Sequence, residues 1–332
     1  MNNRASAFAA LLVLGATFGA TCAHGEVTLY GKVDVGYVHE SGGPDGTVDK
    51  LSTGVMLPSR LGVKASFDIG DGMKAKGQLE TGVCADSNNN PGAPYCTGGG
   101  FMGRKAILAL EGAFGELSLG RQYTPAFLNL DNFDPFGTGL AGTSTNLFGF
   151  AGLRANNSVV YSMPTLGGVS ASVLYGFGEK AGDRSANRRL GASVGFESGP
   201  FAIGAAHNEL RGEDGSKVKD TNIGMSVDLK AVKLNGIYQR STGKNVYLVG
   251  GSVPLLGGSL IGSYIRLDDR TGAGKDASQV GVGYTRPMNK VLTAYAAYAH
   301  ITNKRGAGYV VGNATDDGSG DGAFNLGFVL SF

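Results

Sequence analysis

The charged residues of this chain recur at even spacing within short runs: Arg60 and Lys64, then Lys74, Lys76 and Glu80, then Lys105 alone. In an extended strand, residues two apart share a face, so each run turns its charge to one side and its apolar residues to the other. Asp131 and Asp134 belong to a different kind of segment, 122–155, about thirty residues without strand periodicity and several-fold longer than an ordinary connection. Arg154 stands where that segment ends. Opposed charges across a narrow aqueous gap set up a transverse field that orders water and sorts solutes by charge. Such a field makes and breaks no bonds. Residue patterns for catalysis are missing, since neither a Gly-x-Ser-x-Gly elbow nor a zinc-binding helix motif occurs. His24, His39, His207 and His300 show no ligand spacing. The run from Asp317 to Gly322 opens like a calcium loop, but Phe328 occupies the position of the closing glutamate. The expectation is no enzyme, no metal and no cofactor.

The elements that position these charges are strands. From Thr221 to Lys230, Ile223, Met225, Val227 and Leu229 alternate with Asn222, Gly224, Ser226 and Asp228, a period that excludes an amphipathic helix. Segments of this kind begin near 26–40, recur through the chain, and end at 322–332, where Phe324, Leu326, Phe328, Leu330 and Phe332 share one face. Counting them gives about sixteen strands. Three of them, 243–253, 258–269 and 291–302, alternate poorly. Phase places Arg60, Lys64, Lys74, Lys76, Glu80 and Lys105 on the polar face, while Arg121 falls in apolar phase after Leu117 and Leu119, as a strand-end residue or at a bulge.

An apolar row opposite a polar row throughout a chain suits a sheet with hydrocarbon outside and water inside. Composition agrees: 57 glycines, 13 tyrosines, 16 phenylalanines, no tryptophan and a mean hydropathy of −0.02. After the N-terminus no stretch approaches the roughly 20 apolar residues of a membrane-spanning helix. Connections alternate between short ones, such as 69–72 and 112–115, and long ones, 40–56, 84–102, 122–155 and 303–321. The expected fold is all-β, a 16-stranded antiparallel transmembrane barrel, with short turns at one end and long loops at the other. The segment 122–155 is too apolar for a solvated loop, with Phe127, Leu130, Phe133, Phe136, Leu140, Leu147 and Phe148, and the lumen is where it can bury itself.

Residues 1–23 read as a secretory signal, with Arg4 before the apolar run Ala7 to Ala20 and small residues that place cleavage near 23–25. A lipoprotein site at Cys22 is disfavoured by Thr21 before it. The remaining 24–332 form a single domain. Export leaves Cys84 and Cys96, an even pair across a turn-rich stretch, as a disulfide. Basic and acidic residues nearly balance, 29 against 27, so no surface for nucleic acid or another polyanion follows from the total.

The stretches Val27 to Tyr37 (VTLYGKVDVGY), Ser59 to Glu80, Gly115 to Tyr123 (GELSLGRQY), Arg154 to Tyr161 (RANNSVVY), Leu174 to Gly178 and the terminal Phe332 resemble the trimeric general porins of Gram-negative outer membranes, in the branch found in beta-proteobacteria. The resemblance runs from the cleavage site to the end. It implies sixteen strands, short periplasmic turns, long extracellular loops, a third loop folded into the pore, a homotrimer among outer-membrane lipid and lipopolysaccharide, and passive diffusion of ions and small hydrophilic solutes. It also implies that Phe332 is read by the barrel-assembly machinery, and that Arg60, Arg104, Lys105 and Arg154 belong to the basic side of a constriction. Asp131 and Asp134 lie in the segment that resembles the acidic loop tip, with the order changed to Asp134-Pro135-Phe136-Gly137. The resulting candidate constriction is Arg60, Lys64, Glu80, Arg104, Lys105, Asp131, Asp134 and Arg154. Basic wall residues outnumber the loop's acids, so a weak anion preference is expected. A substrate-selective channel and a surface adhesin or structural barrel are the alternatives.

Overall fold

The computed structural model describes residues 25–86, 101–312 and 318–332. The expected signal segment, Cys96 and Asp317 lie outside the described residues. Seventeen strand segments follow one another: β1 (Gly25–Gly43), β2 (Gly46–Thr53), β3 (Arg60–Gly70), β4 (Met73–Gly82), β5 (Lys105–Gly112), β6 (Gly115–Tyr123), β7 (Arg154–Ser162), β8 (Val169–Gly176), β9 (Arg189–Ser198), β10 (Phe201–Arg211), β11 (Lys217–Asp228), β12 (Lys233–Ser241), β13 (Lys244–Leu255), β14 (Gly258–Asp269), β15 (Ala277–Pro287), β16 (Leu292–Asn303) and β17 (Gly322–Ser331). Both β2 and β3 pair with β1, Leu51 opposite Tyr37 and Val63 opposite Leu29. They are the two halves of one wall strand broken at 54–59, so the wall has sixteen strands. Each is antiparallel to its neighbours, and β17 closes on β1 with Phe328 opposite Val35. Phe332 completes the seam, its N–H donating to Gly31 O at 3.1 Å and its own carbonyl accepting from Gly31 N at 2.9 Å. Closure leaves no edge strand to recruit another chain.

The outer face carries Leu29, Leu108, Val249, Met225 and Phe328, each more than half exposed. A soluble surface does not sustain an apolar band that runs round the molecule. Hydrocarbon does, and the closed ladder satisfies the wall's N–H and C=O groups as that solvent demands. No helix among the described residues is long and apolar enough to cross a membrane. Short reversals connect strands at one end. In one of them, Gly70-Asp71-Gly72, all three residues have φ between 53° and 91°, a conformation that glycine adopts without cost and aspartate tolerates.

Three features depart from the sequence expectation or resolve it. Residues 40–56 are not one long loop: β1 and β2 extend the wall as a hairpin, with Glu40 opposite Val48. The wall strand then breaks at 54–59, where Pro58 has no N–H for a ladder and Asp34 supplies an alternative. Its buried carboxylate accepts from Met56 N at 2.7 Å, Leu57 N at 2.6 Å and the Tyr295 hydroxyl at 2.7 Å. Secondly, the weak alternation of β13, β14 and β16 has a cause inside the barrel. Val246, Leu248, Ile265, Leu267, Ala299 and Ile301 point inward and are buried under the inward-folded segment, so both faces of these strands are apolar. Finally, Arg121 sits at a bulge between Gly120 and Gln122, where its Nε and Nη1 donate to Gly103 O and the Asn156 side chain.

Candidate functional site

The segment between β6 and β7 folds into the bore and is held against one half of the wall. It opens with a helix, α1 (Pro125–Phe133). Thr124 caps it, its hydroxyl accepting from Phe127 N, and Pro125 occupies the first turn, where its missing N–H is no loss. Pro135 helps to end it, because the residue before a proline is forced out of the helical region, and Asp134 is extended accordingly. A row of inward glycines makes the seat. A Cβ at Gly224 would stand 2.1 Å from Phe133 Cδ2, and one at Gly204 2.1 Å from Asn129 Oδ1. Gly283 and Gly281 also lie against the segment, where a Cβ would stand 2.9 Å from Phe136 Cε1 and 2.9 Å from Gly142 Cα respectively.

Polar side chains of the wall grip the segment's backbone. Asn222 donates to Ala126 O at 3.0 Å and Asn235 to Phe133 O at 3.0 Å. Gln239 both accepts from Gly149 N and donates to Gly149 O, each at 2.9 Å. Gln279 donates to Gly142 O at 3.0 Å, Asn208 to Ala151 O at 3.2 Å, and Asp220 accepts from Ala151 N at 2.7 Å. Irregular backbone inside a barrel must find such partners. Leu130 and Leu147 are fully buried against the apolar inner wall, and burial of one such side chain stabilises by roughly 1.5–3 kcal/mol.

The tip of the segment reaches the broken wall strand, with Leu140 N donating to Val55 O at 2.7 Å. Asp134 directs the reversal. Its carboxylate accepts from Phe136 N at 2.9 Å, Ser144 N at 2.9 Å and Thr138 N at 3.2 Å, and the side chain is buried. This corrects the sequence expectation: Asp134 binds its own loop and presents no charge to the bore. Burial raises its carboxyl above the usual range, against the lowering effect of these donors. Asp131, half-buried, accepts from the Thr138 hydroxyl at 2.6 Å. Burial raises it too, opposed by the Thr138 bond and by the Arg60 guanidinium.

Because the segment packs on the inner face of β9 to β17 and on β1 around Val38, the open wall is the rest of β1 with β3 to β6 and the start of β7. There the charges form a connected track. Lys64 Nζ lies 4.7 Å from the centre of the Tyr30 ring, and the Tyr30 hydroxyl donates to Glu80 at 2.8 Å. Glu80 is buried between Arg104 Nε at 2.8 Å and Arg60 Nε at 3.6 Å. Arg104 then donates to the Tyr123 hydroxyl at 3.0 Å, which also accepts from Arg154 at 2.6 Å. The Arg154 guanidinium lies over the Tyr123 ring at 4.4 Å, and that ring stacks on Phe127 at the root of α1. Lys105 lines the cavity of Lys64, Lys76 and Glu116, nearer the short-turn end. There Lys76 is paired with Glu111 and Glu116.

The structure therefore gathers Arg60, Lys64, Glu80, Arg104, Lys105 and Arg154 on one wall with Asp131 on the facing segment. Glu80 is spent on two arginines, which leaves cations in excess. Sequence reasoning missed Tyr30 and Tyr123, which link the cations, and the inward Asn and Gln residues that hold the segment. Their signal was available: β10, β11, β12 and β15 carry amides in the phase where β3, β4 and β5 carry charge. Cys84 is buried beyond β4, and its expected partner Cys96 lies outside the described residues. Among the described residues no cluster of potential metal ligands occurs.

The family model described as Gram-negative porin matches residues 7–306. The outer membrane porin protein 32 of Delftia acidovorans is 30% identical over 320 residues, covering 89% of this chain and 89% of that protein. An outer membrane porin protein of Bordetella pertussis is 26% identical, covering 87% of this chain and 93% of that protein. Among solved structures, the anion-selective porin from Comamonas acidovorans superposes with a TM-score of 0.80 at 26% identity, over 93% of this chain and all of that one.

Proposed function

The chain belongs to the Gram-negative porin family, and we propose on that footing that it forms a water-filled, weakly anion-preferring channel of the outer membrane, for passive diffusion of ions and small hydrophilic solutes. One observation carries the preference: five cations, Arg60, Lys64, Arg104, Lys105 and Arg154, follow the open wall, against the carboxylates of Glu80 and Asp131. The structural relative described as anion-selective supports the same sign. A bore lined by charge with solvent access passes ions without a fixed binding step, which favours general diffusion over a substrate-selective channel. The adhesin reading has no observation in its favour.

The trimer, its lipid setting and the role of Phe332 rest on the resemblance, whereas export and the disulfide rest on the apolar run after Arg4 and on the even pair of cysteines left in an exported chain. The protein is a homotrimer set in outer-membrane lipid and lipopolysaccharide, exported by removal of residues 1–23 and inserted by the barrel-assembly machinery through Phe332. Cys84 and Cys96 form a disulfide in the second long loop. Planar-bilayer recordings test the channel. The expected result is a steady ohmic conductance and a reversal potential, in a potassium chloride gradient, displaced modestly to the chloride side. A cation-side potential would refute the assigned preference, and absence of conductance would refute the channel.

A further inference from the structure

Asp34 is fully buried in the wall and closed off from the bore, and its polar contacts converge on the break at 54–59. The ladder beside β1 stops at the pair Lys32 and Arg60 and resumes at the pair Val35 and Thr53. Across that gap Asp34 N donates to Ser59 Oγ at 2.8 Å, and Asp34 O accepts from Gly54 N at 3.0 Å and from the Thr53 hydroxyl at 3.2 Å. The residues between are left out of the ladder, and the Asp34 carboxylate takes up their N–H groups. One oxygen accepts from both Met56 N and Leu57 N, and the other accepts from the Tyr295 hydroxyl. Tyr295 crosses β17 to reach it, over the paired Gly36 and Gly327, where a Cβ on either would overlap its hydroxyl.

The residues held in this way are the ones that receive the tip of the inward segment. Val55 is fully buried in one cluster with Phe136 and Leu140, its carbonyl accepts from Leu140 N at 2.7 Å, and a Cβ at Gly139 would overlap Met56 O. The tip itself is strained. Gly137, Thr138 and Leu140 have φ of 59°, 54° and 58°, and a threonine or a leucine keeps that left-handed conformation only where its surroundings impose it. Thr138 in turn fixes Asp131, its hydroxyl donating to Asp131 Oδ1 at 2.6 Å. Asp131 is the acid of the segment that interacts with the Arg60 guanidinium of the open wall. A continuous path of contacts thus runs from Asp34 through 55–57 and the tip to the carboxylate that opposes the cations.

We propose that Asp34 is a positioning residue for ion selectivity: through the broken strand and the strained tip it fixes Asp131 opposite Arg60, and so sets how strongly that carboxylate opposes the basic wall. The inference rests on the channel reading above and adds a determinant that lines no part of the path. Its test records reversal potentials of full-length channels in planar bilayers and asks how far Asp131→Asn changes the anion-to-cation permeability ratio in each background. In otherwise wild-type protein that substitution should raise the ratio by about twofold. In Asp34→Val, which keeps the bulk and loses the acceptor, the change should shrink to less than about half of that. In Asp34→Asn, which can turn its oxygen to Met56 N and Leu57 N and its amide N–H to the Tyr295 hydroxyl, the full change should return. Gly139→Ala parts the tip from Met56 on the segment's side and should diminish the change as Asp34→Val does. A residue that merely supported the barrel would leave the Asp131 increment the same in every folded variant, so an undiminished increment in Asp34→Val or Gly139→Ala overturns the proposal. An Asp34→Asn channel that behaves as Asp34→Val overturns it too, as does the absence of any Asp131→Asn effect in the wild-type background. Should Asp34→Val fail to assemble, Gly139→Ala decides alone. The sign of the wild-type reversal potential, which tests the channel's preference, does not enter the comparison.

Discussion

Replacing Gly224 by valine would push the inward segment off its wall. The Cβ alone would stand 2.1 Å from Phe133 Cδ2 and 2.9 Å from Phe133 Cβ, whereas carbon contacts settle at about 3.5–4.0 Å. The near end of the phenylalanine is blocked along with the ring, so rotation about χ1 cannot relieve the clash. The helix must move by about 1.5 Å. Gly224 is opposite Gly204 and Ile237 in the ladder, and those backbone bonds survive the substitution, so the barrel still closes. Overpacking of this kind costs about 1–3 kcal/mol, and it falls on the segment. Displaced toward the open wall, α1 narrows the bore. Single-channel conductance should fall, with more frequent current fluctuations, while the heat-resistant barrel mobility on electrophoresis is kept. Conductance and noise equal to wild type in a folded Gly224→Val protein would refute the seating of Phe133.

Neutralising Lys64 and Lys105 together, as Gln, removes two cations from the open wall, and the anion-to-cation permeability ratio should drop by about threefold at moderate salt, read from reversal potentials. Acidification should do the reverse. Burial raises the Asp131 carboxyl, so its charge is lost at a pH above the ordinary carboxylate range, and anion preference should begin to rise there as pH falls. Asp131→Asn should remove that component of the titration. A carboxyl raised by folding stabilises the folded form most below its unfolded pKa and loses that contribution as pH rises through the folded value. The loop carrying Asp131 and Asp134 should therefore hold more firmly, by protease protection, at mildly acidic pH than above neutrality. Asp134→Ala leaves three N–H groups without their acceptor, at roughly 1–3 kcal/mol for each that stays buried. Its loop should become protease-sensitive while the barrel remains intact.

The wall was legible in the sequence wherever water faced one side and hydrocarbon the other. Alternation was plain in β11, where Ile223 and Met225 face outward and Asn222, Gly224 and Ser226 inward, because only one face is apolar. It weakened in β13, β14 and β16 for a physical reason: Leu248, Ile265 and Ile301 face a protein segment inside the barrel. β2 escaped because its outward row contains Asp49, which accepts from the Tyr37 hydroxyl and contacts His39 at 2.7 Å, while Val48 lies on the inward row. The need of 122–155 to bury itself was plain from its aromatic content. Its helix was signalled only by Thr124-Pro125, a cap followed by a first-turn proline. The fate of Asp134 was not legible, since nothing local distinguishes a carboxylate facing water from one that accepts three backbone N–H groups. Cation phases were readable from spacing, whereas the bridging by Tyr30 and Tyr123 joins residues from strands far apart in the chain.

The central claim is that the open path runs between the inward segment and the wall of β3 to β6 with the adjoining parts of β1 and β7. Cysteine accessibility tests it most directly, using Lys64→Cys on the open wall and Ser263→Cys, buried on the inner face of β14 beneath the segment. A small negatively charged thiol reagent applied to channels in a bilayer should react at position 64, lowering conductance and shifting the reversal potential toward cations, and should leave position 263 untouched. Rapid reaction at 263 with none at 64 would place the aqueous path on the other side of the segment and contradict the account.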